Sequence, residues 1–390
     1  MVTTGLDHIQ MTPPSLLKSR RIGLLVHPAS VDSGLMHARH IFARLYDKDL
    51  IALFSPQHGL HGEQQDNMVE SPDAFDGELN IPVFSLYSQT RQPTSGMFEG
   101  IDTLVIDLQD VGTRVYTFIY TMAYCMMAAR DWGIPVVVLD RPNPVGGLAV
   151  EGNLLNRDYA SFVGLFPIPM RHGMTIGELA LLFNKEFQIG CDLHVIPMDN
   201  WERPMYFEDT GLPWVLPSPN LPTPETAVVY PGQVLLEGTN ISEGRGTTRP
   251  FELFGAPFID TRALAKMLEA YRLEGVFFRD HHFIPTFQKW AGKLCHGFQI
   301  HVTDRSSFRP YLTTLAIIQS IASLYGGLFQ WKEPPYEYEE EKLPIDILTG
   351  DPQVRIGLSR GDDVREMEAR WSRDLDSFLR IRQNYLLYKN

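Results

Sequence analysis

The sequence predicts an α/β protein, with a Rossmann-like parallel sheet domain followed by a smaller α/β (α+β) domain. Short apolar runs alternate with helical patterns in the first third of the chain, which is typical of a parallel sheet covered on both faces. Polar residues cluster directly after these runs. At 390 residues the chain is long enough for two domains, which we place at residues 1–228 and 229–390.

Five strands are expected in the first third. They are Ile22–Val26, Ile51–Ser55, Val83–Leu86, Thr103–Ile106 and Pro135–Leu139. Helical patterns cover Leu35–Asp47 and the segment from Phe118 to Ala129. No G-x-G-x-x-G follows the first strand, so a nicotinamide cofactor is not expected, and we predict no cofactor of any kind.

The later elements are less regular. Ile176–Phe187 is amphipathic and follows Thr175, with Glu178 at capping-box spacing. The remaining predictions are helices at Thr261–Leu273, Tyr311–Leu324 and Trp371–Tyr388, and strands at Val276–Ile284 and Cys295–Val302. Asp280, His281 and His282 lie on a predicted strand, where adjacent residues point to opposite faces, and no third ligand lies at a suitable spacing, so we predict no metal site.

Composition excludes several classes of partner. The formal net charge of −13 argues against a nucleic acid or an anionic membrane. Three cysteines without paired spacing indicate buried free thiols. Residues 1–21 lack the apolar core of a secretion signal, so we expect a cytoplasmic protein, or a periplasmic or secreted one if a leader has been removed. A homodimer is kept as an open alternative.

The segment Asp107–Tyr116 carries the strongest functional signal. It joins a predicted buried strand to a predicted helix, which is where open α/β sheets bind their ligands. Its candidate residues are Asp107, Asp110, Arg114 and Tyr116. An alternative interpretation is that at least one of the two aspartates only braces Arg114 and nearby backbone amides.

Other polar groups also follow predicted strands or lie in stiff loops. They are Gln57, His58 and Glu63 after the second strand, Asp140, Arg141 and Asn143 after the fifth, and Arg171, His172 and Asn220 further along. Because parallel strands open their carboxyl ends on one edge, we expect these groups to converge on one crevice.

A second polar cluster spans Glu237–Glu252. Its candidates for binding a ligand are Asn240, Glu243, Arg245 and Arg249. Arginine binds carboxylates through two parallel hydrogen bonds, so a substrate carboxylate is one interpretation. A loop held by its own salt bridges is the other. The acidic run Glu337–Glu341 is interpreted as a solvated surface.

The chemistry of these groups suits a carbohydrate. Carboxylates supply acid and base groups, amides bind hydroxyls, and tyrosines pack on sugar faces. No Walker loop and no G-x-S-x-G elbow occurs, so phosphoryl transfer and serine hydrolysis are disfavoured. A non-catalytic binding protein would use a similar lining.

These segments, together with Ser161–Gly164 and Phe251–Pro257, resemble the exo-β-N-acetylmuramidase family of the NamZ type, formerly a domain of unknown function. The resemblance extends from about Gly5 to Tyr388. It implies a Rossmann-like domain, a smaller C-terminal domain and an active site between them. The implied reaction is release of terminal N-acetylmuramic acid from the non-reducing end of a peptidoglycan-derived disaccharide or muropeptide. The lactyl carboxylate of that sugar would explain the arginines.

One position departs from the family pattern. The family has Pro-Glu-His-Gly after the second strand and uses that glutamate in catalysis, whereas this chain has Gln57. An amide cannot act as a general acid or base. Three explanations remain open: another carboxylate serves, the acetamido group of the substrate acts as nucleophile, or the protein binds without turnover. Glu63 is the first candidate for a replacement acid, followed by Asp107 and Asp110.

Overall fold

The computed structural model of the chain describes residues 1–66 and 68–389. Its strands are β1 (Ile22–Val26), β2 (Leu50–Ser55), β3 (Ala74–Asp76), β4 (Ile81–Ser85), β5 (Thr103–Asp107), β6 (Val136–Leu139), β7 (Glu151–Leu154), β8 (Pro169–Arg171), β9 (Leu193–Ile196), β10 (Leu253–Ala256), β11 (Val276–Phe283) and β12 (Cys295–Val302). Its α-helices are α1 (Gly5–Met11), α2 (Ala38–Tyr46), α3 (Phe118–Asp131), α4 (Ile176–Glu186), α5 (Pro224–Gln233), α6 (Thr261–Ala270), α7 (Pro310–Tyr325), α8 (Pro344–Thr349), α9 (Pro352–Arg360) and α10 (Val364–Arg382).

The N-terminal half is built on a seven-stranded sheet in the order β3-β4-β2-β1-β5-β6-β9. Every neighbouring pair is parallel except β3 and β4. The carboxyl ends of β1, β2, β5 and β6 therefore share one edge, as the sequence predicts. This edge is where the polar loops of the chain gather.

Both faces of the sheet are covered, which explains its continuously apolar strands. Along β5, Leu104 and Ile106 face the larger core, which includes residues of α3 and α4. Val105, between them, faces a second core that includes residues of α1 and α2. This alternation follows from the two-residue period of a strand.

The C-terminal half carries a smaller antiparallel sheet in the order β10-β12-β11. Helix α7 is buried along most of its length and packs on α5, where a Cβ atom added at Gly232 would lie 1.9 Å from the carbonyl oxygen of Pro310. By length and composition the segment Pro310–Leu328 is apolar enough to cross a membrane, but most of it is buried in the core. Core helices of globular proteins commonly share this composition.

The two halves are packed closely together. The larger hydrophobic core includes residues of α3 and α4 as well as of α7 and α8. Helix α10 packs on β7, so the end of the chain returns to the N-terminal half. The predicted boundary between residues 228 and 229 lies within α5, and it stays a prediction.

Most predicted elements are confirmed. The five predicted N-terminal strands are present, and Thr175 and Glu178 form a capping box at the start of α4. The three cysteines are buried and unpaired. Strand β9 and helix α5 were not predicted, and the last helix is Val364–Arg382 rather than Trp371–Tyr388. Its start is set by Asp363, whose side chain accepts hydrogen bonds from the first-turn amides of Arg365 and Glu366.

Candidate active site

A pocket lies beside the carboxyl ends of β2 and β5, where loops from both halves of the chain meet. It contains about 520 Å³ of space, with open solvent at its mouth included. Its lining residues are Gln57, His58, Val115, Tyr116, Thr117, Phe118, Val163, Ser218, Asn220, Leu221, Tyr230, Val234, Glu237, Arg245, Phe251, Tyr336 and Glu337. This mixed apolar and polar lining is typical of small-molecule sites.

Gln57 is held in the pocket wall by two side chains. It follows β2, and its carbonyl oxygen accepts a hydrogen bond of 2.8 Å from the hydroxyl of Thr117, just before α3. Its amide nitrogen donates to Oε1 of Glu337 at 3.1 Å, although the two residues are 280 positions apart in the chain. The orientation of the Gln57 amide is therefore fixed.

Glu337 corrects the interpretation of Glu337–Glu341 as a solvated surface. Its side chain is buried and lines the pocket, and its Oε2 accepts a hydrogen bond of 2.7 Å from the hydroxyl of Tyr87. Its backbone has a φ of 46°, a left-handed conformation that costs a non-glycine residue about 1–3 kcal/mol. Such conformations cluster at functional sites.

The two carboxyl groups of the pocket titrate differently. Burial raises the pKa of Glu337 to about 6, against the hydrogen bonds from Tyr87 and Gln57. Burial would also raise the pKa of Glu237, but the charge of Arg245 and the hydroxyl of Tyr336 hold it below its ordinary value. Glu237 is therefore ionised at neutral pH, whereas Glu337 is partly protonated in mildly acidic solution.

Arg245 is the predicted arginine that reaches the pocket. Its guanidinium group donates to Oε1 of Glu237 at 2.7 Å and lies 3.5 Å from Glu243, which also binds the ammonium group of Lys289. Its Nη1 atom is buried and has no hydrogen-bond partner among the described residues. An unsatisfied buried N–H group in a pocket wall indicates a ligand acceptor.

Three more predicted residues line the pocket. His58 donates from Nδ1 to the carbonyl oxygen of Gln64 at 2.7 Å, and burial lowers its pKa to about 4. The ring is therefore neutral, and its Nε2 atom is a hydrogen-bond acceptor. Tyr116 packs against Tyr230 with perpendicular rings, and the amide of Asn220 donates to the backbone at Gln65.

Glu63, the first candidate for a replacement acid, does not line this pocket. It is exposed and lines a separate cavity together with Gly59 and His61. Its carboxyl group lies over Gly59, where an added Cβ atom would be 2.8 Å from Oε1. The loop after residue 58 turns the side chain away, so Gln57 contacts Glu337 rather than Glu63.

Asp107 and Arg141 form a closed pair in the protein interior. The guanidinium group donates to both carboxylate oxygens of Asp107 at 2.6 and 2.7 Å, and both side chains are buried outside the pocket. The prediction that Asp107 and Arg141 converge with Gln57 on one crevice is therefore wrong. Asp107 ends β5 and points along the β1 side of the sheet edge, where the hydroxyl of Ser30 binds its backbone carbonyl.

Asp110, Asp140, Asn143 and His172 brace loops outside the pocket lining. Asp140 accepts hydrogen bonds from Thr175 and from the backbone amide of Gly177, so it anchors the start of α4. The remaining contacts are from Gly112 N to Asp110 at 2.8 Å, from Asn143 to the carbonyl of Met174 at 2.9 Å, and between His172 and Asp110 at 3.3 Å. These groups serve local structure.

Arg114 and Arg171 are structural arginines in this fold. Arg114 is fully buried and donates to backbone carbonyls at Asn153, Ile168, Leu348 and Thr349, so it ties the two halves of the chain together. Arg171 donates to the carbonyl of Val145 and to the hydroxyl of Tyr206. Neither side chain lines the pocket.

The second cluster is divided between the pocket and its surroundings. Asn240 binds backbone groups at Leu328 and Gln330, and Glu243 lies behind Arg245. The Arg249 side chain is 48% exposed and pairs with Glu252 at 3.2 Å. Only Arg245 of these four lines the pocket.

Sequence reasoning missed Glu237 and Glu337 as pocket residues. Glu237 begins the cluster Glu237–Glu252 but precedes its glycines, and nothing in its spacing distinguishes it from a surface acid. Glu337 stands between Tyr336 and Tyr338, and no other acid of the run has an aromatic residue on both sides. Those tyrosines were the available signal for burial.

The pocket can therefore perform acid–base chemistry on a neutral or anionic ligand. It contains one ionised carboxylate, one carboxyl group with a raised pKa, a neutral imidazole and an arginine whose Nη1 has no hydrogen-bond partner among the described residues. Two carboxyl groups in different electrostatic environments are characteristic of glycosidases.

Comparison with known proteins agrees with this chemistry. Residues 22–225 match a family model described as exo-beta-N-acetylmuramidase NamZ, N-terminal, and residues 228–388 match its C-terminal counterpart. The chain is 48% identical over 387 residues to the peptidoglycan beta-N-acetylmuramidase NamZ of Bacillus subtilis (strain 168), an alignment that covers 99% of this chain and 91% of that protein.

Solved structures show the same fold. Two crystal structures of DUF1343 family proteins from Bacteroides fragilis NCTC 9343 superimpose with TM-scores of 0.90 and 0.78, at 34% and 30% sequence identity. Each comparison covers 100% of this chain and 99% of the other. The family models, the curated relative and the shared fold together show that this chain belongs to the exo-β-N-acetylmuramidase NamZ family.

Proposed function

We propose that this protein is a glycoside hydrolase that releases terminal N-acetylmuramic acid from the non-reducing end of peptidoglycan fragments. The observation that carries the proposal is the pocket between the two halves of the chain, with Glu237, Glu337 and Arg245 in its wall. The curated relative at 48% identity is a peptidoglycan beta-N-acetylmuramidase, which supports the same substrate class.

The lactyl carboxylate of the substrate is recognised by Arg245 in this proposal. Glu237 and Glu243 neutralise much of the charge around Arg245, while Lys289 offsets the charge of Glu243. The buried Nη1 atom remains available to donate a hydrogen bond. A hydrogen bond to a charged group contributes about 1.5–3 kcal/mol, which is enough to select between sugars with and without the carboxylate.

The pocket also offers groups for the rest of the sugar. Tyr116, Tyr230 and Phe251 present aromatic surface, which packs on the apolar faces of pyranose rings. The side chain of Asn220 and the hydroxyl of Ser218 are hydrogen-bonding groups for sugar hydroxyls or the acetamido group.

Binding without turnover is the second candidate function. It is favoured by the amide of Gln57, which stands where the resemblance of the segment Pro56–Gly59 places the catalytic glutamate of the family. An amide keeps the size and hydrogen-bonding capacity of glutamate but transfers no proton. The two functions share the same pocket and differ only in whether the glycosidic bond breaks.

One assay separates these functions and tests the substrate class. Purified protein is incubated with a chromogenic β-N-acetylmuraminide and with the matching N-acetylglucosaminide, which lacks the lactyl group. We expect cleavage of the muraminide and much slower cleavage of the glucosaminide. Equal rates would remove the proposed recognition of the carboxylate. Binding of N-acetylmuramic acid without cleavage of either substrate would establish the binding protein instead.

A further inference from the structure

We propose that Glu337 is the proton donor of this enzyme, replacing the carboxyl group that is missing at position 57. This inference rests on the proposed glycosidase function. Its first support is location: Oε1 of Glu337 lies 3.1 Å from the amide nitrogen of Gln57. A proton held by Glu337 is therefore within one hydrogen bond of the place that the family pattern gives to its catalytic glutamate.

The second support is the way the Glu337 carboxyl group is oriented. Gln57 binds one of its oxygens and Tyr87 binds the other, and the backbone at Glu337 and Tyr338 is held in the left-handed region with φ of 46° and 66°. Arg91 lies over the ring of Tyr338 at 3.3 Å and further fixes this segment. A proton donor must be held in a defined geometry to act, and these contacts hold the Glu337 carboxyl group in one.

The other carboxyl groups are less suited to donating a proton. Glu237 is paired with Arg245 and stays ionised, so it suits the stabilisation of positive charge on the sugar. Asp107 is closed off by Arg141, and Glu63 lies in a separate cavity. Glu337 is the carboxyl group of the described pocket lining that is free of an arginine partner.

Several charged or titratable groups act on Glu337 from the surrounding elements. They are Tyr87, Arg91, Tyr230, Glu237, Arg245 and Tyr336. Burial and the negative charge of Glu237 raise the pKa of Glu337, while Tyr87, Gln57 and Arg245 lower it, and the result is about 6. A carboxyl group with that pKa retains part of its protonated form in mildly acidic solution.

The step balances with water as the second reactant. Glu337 transfers its proton to the glycosidic oxygen as the bond between that oxygen and C1 of the muramic acid breaks. Water then supplies the hydroxyl group at C1, and its released proton returns to the Glu337 carboxylate. The products are free N-acetylmuramic acid and the remaining fragment with a new hydroxyl group, and the enzyme is restored.

The test compares two leaving groups in the variant Glu337→Gln. The sugar that leaves a natural disaccharide needs a proton on its glycosidic oxygen. A 2,4-dinitrophenyl muraminide instead releases 2,4-dinitrophenolate, which leaves without being protonated. We expect kcat/KM on the disaccharide to fall on the order of 10²–10⁴-fold, because general acid catalysis contributes about that much. The dinitrophenyl substrate should lose far less, at most about tenfold.

The matched control is Glu340→Gln, which removes a carboxyl group from an exposed position of the same segment. It should leave both rates unchanged. An equal loss on both substrates in Glu337→Gln would assign Glu337 a structural role and overturn the proposal. So would wild-type rates in that variant. A wild-type protein that cleaves neither substrate would overturn the glycosidase function itself.

A second variant covers the case in which Glu337→Gln does not fold. Tyr87→Phe removes the hydrogen bond that lowers the pKa of Glu337 and keeps the ring in place. Because the donor acts in its protonated form, raising its pKa should move the basic limb of the kcat/KM profile to higher pH. A profile identical to that of the wild type would overturn the proposal.

Discussion

Two buried polar clusters lie near the same sheet edge, and they differ in whether their groups are satisfied. In the first cluster, Asp107 and Arg141 satisfy each other through two short hydrogen bonds. In the pocket, Arg245 has a buried N–H group without a partner among the described residues. Burial raises the pKa of Glu337 to about 6, so this carboxyl group is neither fully ionised nor fully protonated in mildly acidic solution.

The difference teaches how to recognise a site among buried charges. Both clusters contain a buried carboxyl group paired with a buried arginine. The two clusters differ in their donors: Arg245 has a buried N–H group without a partner among the described residues, whereas no buried side-chain polar atom of Asp107 or Arg141 lacks one. Buried ionic groups alone do not identify an active site, because a fully satisfied pair serves the fold equally well.

The largest effect is expected from breaking the closed cluster. Arg141→Leu leaves the Asp107 carboxylate buried without its cation, which should lower the free energy of unfolding by about 3–5 kcal/mol. Urea denaturation followed by circular dichroism measures this loss. Arg21→Ala, which breaks an exposed pair with Asp102, should change stability little. Equal losses in both variants would contradict the comparison.

A smaller effect is expected in the open cluster. Arg245→Lys keeps the positive charge but loses the planar fork, which should cost about 1.5–3 kcal/mol of substrate selectivity. The measurement is the ratio of kcat/KM for the muraminide to that for the glucosaminide. Arg249→Lys is the control, since Arg249 is half exposed and outside the pocket lining. An unchanged ratio in Arg245→Lys would remove Arg245 from carboxylate recognition.

The smallest effect is expected from restoring a carboxyl group at position 57. Gln57→Glu places a second acid against Glu337, and a like-charged neighbour raises the pKa at which the pair gives up its last proton. The basic limb of the kcat/KM profile should therefore move up by roughly one pH unit, or ~1.4 kcal/mol. Gln65→Glu adds the same charge at an exposed position and should leave the limb in place.

Local sequence signals predicted much of the fold. Apolar runs located the five N-terminal strands, and the Thr175–Glu178 spacing located the start of α4, because both depend on neighbouring residues. The polar loops after β2 and β5 correctly indicated the edge of the sheet where the pocket lies. The long motifs of the chain, through their resemblance to those of the exo-β-N-acetylmuramidases, correctly predicted the family.

The interior of the site could not be predicted in the same way. Whether a carboxylate at the end of a strand faces a pocket or an arginine depends on the geometry of the loops around it. The residues next to Asp107 and Arg141 in the sequence do not indicate that these two side chains pair. The contact between Gln57 and Glu337 joins residues 280 positions apart. No local pattern in a single sequence connects two positions so far apart.

The contact between Gln57 and Glu337 makes the pocket depend on the association of the two halves of the chain. Gln57 belongs to the N-terminal half of the chain and Glu337 to the C-terminal half, so neither half alone carries the complete set of pocket groups. If the chain were produced as two separate polypeptides, hydrolysis would require their association. Catalytic activity would then rise with the concentration of the limiting fragment, so the rate of hydrolysis would report how much of the two fragments had associated.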